Sequence, residues 1–94
     1  FKENCLVSIS CQSDLEVVVR SALSKFIEKN DLKLSEFSKK ETRNIVDLDI
    51  VIETSRVETI KKLVQNLSAE PGILNISWEH YKKFQEQQDG YTED

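Results

Sequence analysis

The sequence predicts an α+β domain in which four strands and two helices follow the order β-α-β-β-α-β. Three observations predict it. Four segments show strand-like alternation or β-forming residues, two segments repeat apolar residues at helical spacing, and the two halves of the chain resemble each other. Each half contains a strand, a Ser-x-x-Glu helix start, a helix and a second strand. The 94 residues suffice for one domain, and two are implausible.

The first predicted strand covers residues 5–11, where alternate residues are apolar and face one side. Ser13 and Glu16 then form the pattern of a capping box, which predicts the start of a helix. Apolar residues recur along this helix at spacings of three and four, and the helix ends near Asn30. These residues are Leu15, Val18, Val19, Ala22, Leu23, Phe26 and Ile27. The stripe predicts that the helix packs one face on the sheet.

The next two strands are predicted to form a hairpin. The strand over residues 32–39 is the weaker one, because Phe37 interrupts its alternation, and the interruption predicts a β-bulge or a bend. Residues 40–44 are polar and contain no glycine, so we expect a loop longer than two residues. The strand over residues 45–53 has the clearest alternation in the chain. Its apolar face consists of Val46, Leu48, Ile50 and Ile52.

The second half ends with another helix and a strand. Ser55 and Glu58 repeat the capping-box pattern, and apolar residues at helical spacing run from Val57 to Leu67. A Pro-Gly pair at residues 71–72 ends the helix, and residues 73–79 form the last strand.

This duplicated order is typical of the ferredoxin-like fold. Right-handed crossovers then give a four-stranded antiparallel sheet in the order 4-1-3-2, with both helices on one face. We expect residues 1–4 to be a linker, residues 5–79 to form the domain, and residues 80–94 to form a polar C-terminal tail.

The helices would leave the other face of the sheet uncovered. Alternation places polar residues there together with four apolar ones, Leu6, Ile45, Val51 and Ile73. Because an uncovered, half-apolar face is typical of a surface that another molecule covers, we interpret these four residues as a self-association face.

Charge and composition exclude several classes of partner. The formal net charge of −4 and the pI of about 5.0 disfavour polyphosphate, so we expect no nucleic-acid partner. The two cysteines, Cys5 and Cys11, lie about 20 Å apart on one extended strand and cannot bridge, which suits a reducing compartment. The longest apolar run has three residues, so we expect no direct membrane insertion of this segment. The chain starts at Phe1, and we interpret it as a domain excised from a longer protein.

The sequence predicts no enzyme, no cofactor and no metal ligand. The loop after the first strand offers Cys11 alone rather than paired thiolates, and neither Arg nor Gly to hold phosphate. The one histidine, His80, has no visible catalytic partner. Asp47, Asp49 and Glu53 share one face of a strand, which leaves a divalent-cation site as an alternative.

A family resemblance rests mainly on residues 67–79, which read LSAEPGILNISWE. This segment resembles the Leu-Ser-x-x-Pro-Gly-Val-x-x-Val-x-Trp-Glu ending of the C-terminal domain of the MgtC/SapB family, bacterial inner-membrane proteins often labelled magnesium transporter C. By order of elements the resemblance extends over residues 5–79. It implies an ACT-like domain on the cytoplasmic side of the membrane, joined to an upstream membrane part.

The resemblance also implies a function. We expect a non-catalytic regulatory domain that self-associates as a homodimer or binds another protein. The alternative is an ACT-type sensor of an amino acid or a divalent cation, with Gln12, Ser13 and Asp14 as the ligand loop at the first helix N-terminus. ACT domains that bind ligands usually carry a glycine in this loop, and residues 11–14 contain none.

Overall fold

The computed structural model describes residues 1–82. Its elements, in chain order, are β1 (Glu3–Gln12), a 3₁₀ turn (Ser13–Leu15), α1 (Glu16–Lys29), β2 (Lys33–Thr42), β3 (Ile45–Thr54), α2 (Val57–Ser68) and β4 (Ile73–His80). The strands form one sheet in the order β2-β3-β1-β4, and every neighbouring pair is antiparallel. The predicted βαββαβ ferredoxin-like fold and its strand order are therefore confirmed.

The core lies between the helices and the two central strands. Every residue on the helix-facing side of β1 from Cys5 to Cys11 is buried, and so is every such residue of β3 from Val46 to Ile52. The helices complete the core with buried residues that recur at helical spacing: Val19 and Leu23 of α1, and Ile60, Leu63 and Leu67 of α2. Among the residues described, neither helix is long and apolar enough to cross a membrane.

One residue of the predicted helix stripe lies outside the core. Val18 is 42% exposed, although its neighbour Val19 is fully buried. The adjacent pairs Ala22–Leu23 and Phe26–Ile27 both pack on the core, so Val18 lies at the margin of the face that α1 turns toward the sheet. The buried stripe of α1 is therefore narrower at its N-terminal end than the spacing predicted.

Both cysteines are buried free thiols on β1, as the strand geometry predicted. Burial raises the pKa of Cys5, and the negative charge of Glu3 adds to this effect. Burial also raises the pKa of Cys11. Both side chains consequently behave as small apolar core residues.

The two predicted capping boxes do not form, because neither helix has a side-chain hydrogen bond at its N-cap. Ser13 begins a 3₁₀ turn, so α1 starts three residues later, at Glu16 itself. At the second helix, the Thr54 hydroxyl accepts a hydrogen bond from the Arg56 N–H at 3.0 Å. The Ser-x-x-Glu pattern located both helix starts to within three residues, but the side-chain hydrogen bonds that it predicted there do not form.

The hairpin confirms one expectation and corrects another. The register of β2 against β3 shifts between Leu34 and Glu36, as expected for a bulge, and the Ser35 hydroxyl donates to the Val51 carbonyl at 3.1 Å. The loop, however, has two residues rather than more, because Thr42 pairs directly with Ile45. Arg43 supplies the left-handed conformation, with φ of 55°, that a glycine usually provides in so tight a turn.

The ends of the domain also differ from the expectation. Glu3 and Asn4, assigned to a linker, belong to β1 and pair with Thr54 and Glu53 of β3. At the other end β4 extends to His80, and the Tyr81 N–H donates to the Asn4 carbonyl at 2.9 Å. The rest of the predicted tail, residues 83–94, lies outside the described residues.

A second bulge changes the position of Ile73. The register of β4 against β1 shifts at Ser10 and Cys11, so that Ile73 lies opposite Cys11 and packs against the core, while Leu74 is 50% exposed. Simple alternation predicted the opposite sides for these two residues. Ile73 therefore does not belong to the open face, and its assignment to the self-association face is wrong.

Gly72 precedes β4 at a position where a side chain has no room. Its φ is 89°, and a Cβ there would lie 2.7 Å from both Cβ and Cδ1 of Leu15. Its carbonyl accepts a hydrogen bond from the Gln12 N–H at 2.9 Å, which fixes the backbone close to the 3₁₀ turn. The Pro-Gly pair is thus a site of close packing as well as a helix stop.

Replacing Gly72 with alanine should destabilise the domain by about 2–4 kcal/mol, because the left-handed conformation and the clash with Leu15 both add cost. Urea unfolding followed by circular dichroism measures the change. Arg43→Gly is the matched control, since it makes the reverse exchange at the other tight turn and should leave stability within about 1 kcal/mol of the parent. An unchanged unfolding midpoint for Gly72→Ala would contradict the packing described.

A charged cluster joins α1 to the edge strand β2. The Lys39 ammonium lies 3.0 Å from the Glu16 carboxylate, which Arg20 also contacts at 3.2 Å. The Arg20 guanidinium lies 4.7 Å from the centre of the Phe37 ring. The hydrogen bond from Lys39, assisted by that from Arg20, lowers the pKa of Glu16 from its usual value of 4.5.

A carboxylate whose pKa is lowered by folding stabilises the native state above its unfolded pKa, and this contribution disappears as pH falls through the folded pKa. Glu16→Gln should therefore cost about 1 kcal/mol or less at pH 7, and the difference from the parent should close below the usual carboxylate range. Unfolding experiments at several pH values test this. Glu58→Gln, at an exposed pair with Lys61, is the control and should show a smaller effect.

Candidate functional site: the open face of the sheet

The candidate functional site is the open face, the side of the sheet that no helix of the described residues covers. Strand pairing and alternation place residues of all four strands on it. They include Leu6, Ser8 and Ser10 of β1, Ile45, Asp47, Asp49 and Val51 of β3, Glu36, Ser38 and Lys40 of β2, and Asn75, Ser77 and Glu79 of β4.

The apolar residues of this face occupy two separate places. Leu6 and Val51 lie directly opposite each other near one end, where Val51 is only 4% exposed. Ile45 lies at the other end, opposite Gln12, and is 43% exposed. The structure thus brings together two of the four predicted self-association residues, separates the third, and places Ile73 on the other side of the sheet.

The centre of the open face is polar. Ser10 lies opposite Asp47 and donates a hydrogen bond to its carboxylate. Ser8 lies opposite Asp49, and Lys40 of β2 lies opposite Asp47. A shallow depression of about 470 Å³ covers this region and extends to Asn75 of β4. The face therefore offers serine hydroxyls and carboxylates rather than the half-apolar surface predicted from the sequence.

The proposed ligand loop forms a second candidate site. Gln12, Ser13 and Asp14 line an open depression of about 410 Å³ together with Asn44 of the hairpin turn. Two of its backbone donors are already used, because the Gln12 N–H bonds to the Gly72 carbonyl and the Ser13 N–H bonds to the Asn44 carbonyl at 2.8 Å. The loop can offer side-chain groups to a ligand, but these two amides hold the fold together.

The divalent-cation alternative is not supported by the geometry. Asp47 and Glu53 are six residues apart on β3, which corresponds to about 20 Å along a strand. Glu53 also pairs with Lys33 at 3.7 Å. Within residues 1–82, no three His, Cys, Asp or Glu side chains are grouped so that they could hold a metal ion. Asp47, Asp49 and Glu53 lie on one face of β3 but are not grouped closely enough to bind one metal ion.

Sequence reasoning missed Tyr81, which was assigned to the tail. Its N–H continues the pairing of β4 with β1, and the residue lines a cavity on the open face together with Leu6 and Val51. An aromatic residue immediately after the last strand was the available signal.

Comparisons with known proteins agree with this architecture. The sequence profile of a family described as the MGTC/SAPB C-terminal domain matches residues 6–78. No curated protein sequence matches the chain.

Among solved structures, the C-terminal domain of the MgtC protein from Mycobacterium tuberculosis is similar, with a TM-score of 0.75 and 20% identity over 84% of this chain and 87% of that one. The ACT domain of GTP pyrophosphokinase from Chlorobium tepidum has a TM-score of 0.72 and 12% identity, over 84% of this chain and 100% of that one. Ribosomal protein S6 from Thermotoga maritima has a TM-score of 0.66 and 9% identity, over 98% and 99%. At these identities the structures show a shared ferredoxin-like and ACT-like fold.

Proposed function

The chain belongs to the family of MgtC/SapB C-terminal domains, and from this premise we propose that it is a non-catalytic regulatory domain that acts by pairing with a second copy. The match over residues 6–78 supports the regulatory role, because it spans almost the whole folded part of the chain. The pairing rests on the uncharged edge of β4. In its parent protein the domain would follow a membrane part and lie on the cytoplasmic side. The two buried, unbridged thiols suit that reducing compartment.

The side chains with catalytic potential support a non-catalytic role. His80 lies at the end of β4, where its Nδ1 is 3.3 Å from the Glu3 carboxylate and its ring meets the Trp78 ring edge-on at 5.4 Å. Neither contact supplies a nucleophile for it to activate. Cys5 and Cys11 are buried and have raised pKa values, which is unfavourable for a reactive thiolate.

Pairing through the open face has a physical cost. Two copies that met face to face would gain little from apolar burial, since Val51 is already covered and Leu6 is half-buried. The same contact would bring the carboxylates of Glu36, Asp49 and Glu79 close to those of the second copy. Like charges brought together in an interface oppose association.

The two edges of the sheet offer a different surface, and they are protected to different degrees. A bulge interrupts the pairing of each edge strand, so the difference between them is one of charge. Half of the ten residues of β2 are charged: Lys33, Glu36, Lys39, Lys40 and Glu41. In β4, residues 73–78 carry no charge at all. Charges and bulges are the usual devices that prevent an edge strand from pairing with another chain. The β4 edge is therefore the better candidate for pairing.

An antiparallel pair of β4 strands can form without electrostatic conflict. If the two-fold axis passes through Ser77, Ile76 lies opposite Trp78 of the second copy and Asn75 lies opposite Glu79 of the second copy. The first pair brings apolar groups together on the helix-facing side, and the second joins an amide to a carboxylate. The result would be a continuous eight-stranded sheet with two-fold symmetry.

Sedimentation of the full chain at high micromolar concentration should show a dimer. A strict monomer at that concentration would contradict the proposed pairing.

Two serine-to-lysine variants distinguish the surfaces, because Ser8 and Ser77 lie opposite each other on β1 and β4. If the β4 edge pairs, Ser77→Lys should raise the dimer dissociation constant about tenfold or more, and Ser8→Lys on the inner strand should change it little. If Ser8→Lys is equally disruptive, the open face is the interface.

A small-ligand sensor remains the second candidate, because the depression beside Gln12, Ser13 and Asp14 is large enough for an amino acid. Calorimetric titration with a panel of amino acids tests it. A saturable heat that Asp14→Ala abolishes would support this function, and the absence of heat from every amino acid would remove it.

A further inference from the structure

A small cavity lies at one end of the open face and takes no part in the proposed pairing of β4 strands. Its volume is about 250 Å³, or roughly eight water molecules. Its floor is apolar and is formed by Leu6 and Val51. Tyr81 lines it as well, together with Glu36, Phe37 and Ser38 of β2 and Asp49 of β3.

Strand pairing and a backbone hydrogen bond fix the positions of the residues that line the cavity. Leu6 and Val51 lie opposite each other on the two central strands, and the Tyr81 N–H is bonded to the Asn4 carbonyl at the end of β1. Glu36 follows the bulge in β2 and lies opposite Val51. The lining therefore comes from three strands of the sheet and from the residue that continues β4.

The charged side chains that line this cavity among the described residues, Glu36 and Asp49, are both acidic. Glu36 already takes part in an interaction of its own, so Asp49 is the carboxylate that the cavity offers to a ligand. On the same side of the sheet, Lys40 lies opposite Asp47 and Lys33 pairs with Glu53. An apolar floor, an aromatic residue and a carboxylate together form the usual environment for a cation with an alkyl stem.

We propose that this cavity binds the guanidinium or alkylammonium group of an organic cation. The cationic head would contact the Asp49 carboxylate and the Tyr81 ring, and the alkyl stem would lie against Leu6 and Val51. Planar guanidinium groups bind carboxylates through paired hydrogen bonds and also stack on aromatic rings. The volume suits a single side-chain-sized group. The proposal is independent of dimer formation and of the Gln12–Asp14 loop.

The same chemistry has two possible sources, a free small amine or an arginine side chain of a partner protein. Titration of the ¹⁵N-labelled full chain with agmatine represents the first source, and titration with acetyl-Gly-Arg-Gly-amide represents the second. We expect saturable amide shifts centred on Leu6, Val51 and Tyr81 in the millimolar range for at least one probe. The tighter probe identifies the source. Pentylurea, a neutral molecule of similar shape, should give no saturable shifts.

Two variants and one control locate the site. Asp49→Asn should weaken binding of the tighter probe about tenfold, because the charge-assisted contact is lost. Tyr81→Leu should weaken it several-fold, because the cation–π contact is lost. Asp47→Asn is the matched control, since Asp47 lies on the same strand face but outside the lining, and it should change binding less than twofold.

Raising the salt concentration to 0.5 M should weaken binding to the parent chain without any substitution, which keeps the test valid if a variant folds poorly. No localised shift up to 50 mM of either probe, equal effects of Asp47→Asn and Asp49→Asn, or equally tight pentylurea binding would each overturn the proposal. A monomeric chain that binds agmatine would contradict the pairing proposed above and leave this site standing.

Discussion

The fold depends on the complete burial of one side of β1 and β3. These two strands form the middle of the sheet, and their helix-facing residues from Cys5 to Cys11 and from Val46 to Ile52 are all buried. Since strand alternation has a period of two, a slip of one residue in either strand would move this whole set to the open face. Both helices and both outer strands are arranged around that register.

A small group of backbone hydrogen bonds holds the connections in place at one end of the sheet. Gln12 and Ser13 leave β1 and donate to Gly72, before β4, and to Asn44, in the β2–β3 turn. Three connections distant in sequence therefore meet at two consecutive amides. The same contacts explain why the chain between β1 and α1 forms a 3₁₀ turn rather than the capped helix start that the sequence suggested, and why its amides are unavailable to a ligand.

The order of elements, the sheet order, the first bulge and most of the core follow from apolar spacing, because these features depend on local periodicity and on the handedness of crossovers. The features that sequence reasoning missed have different origins. The bulge that turns Ile73 toward the core depends on contacts between distant segments and has no local signature, and the two-residue turn at Arg43 lacks the glycine that usually marks such a turn. Alternation predicted which residues of β1 and β3 lie on the candidate site, but not how much apolar surface it exposes, since the amount of Val51 that remains exposed depends on neighbours from other strands.

The position of β4 has a consequence for biosynthesis. β4 pairs with β1, and the pair Cys5–His80 joins residues 75 positions apart. While the chain is still emerging from the ribosome, β1 must wait for the last strand, and one side of the central strand stays unpaired until nearly the whole domain has been made. Contacts of such long range slow folding. The nascent domain thus completes its hydrogen bonding only after β4 has emerged, and a ribosome that stalls before residue 73 would leave β1 as an open edge exposed to chaperones and proteases.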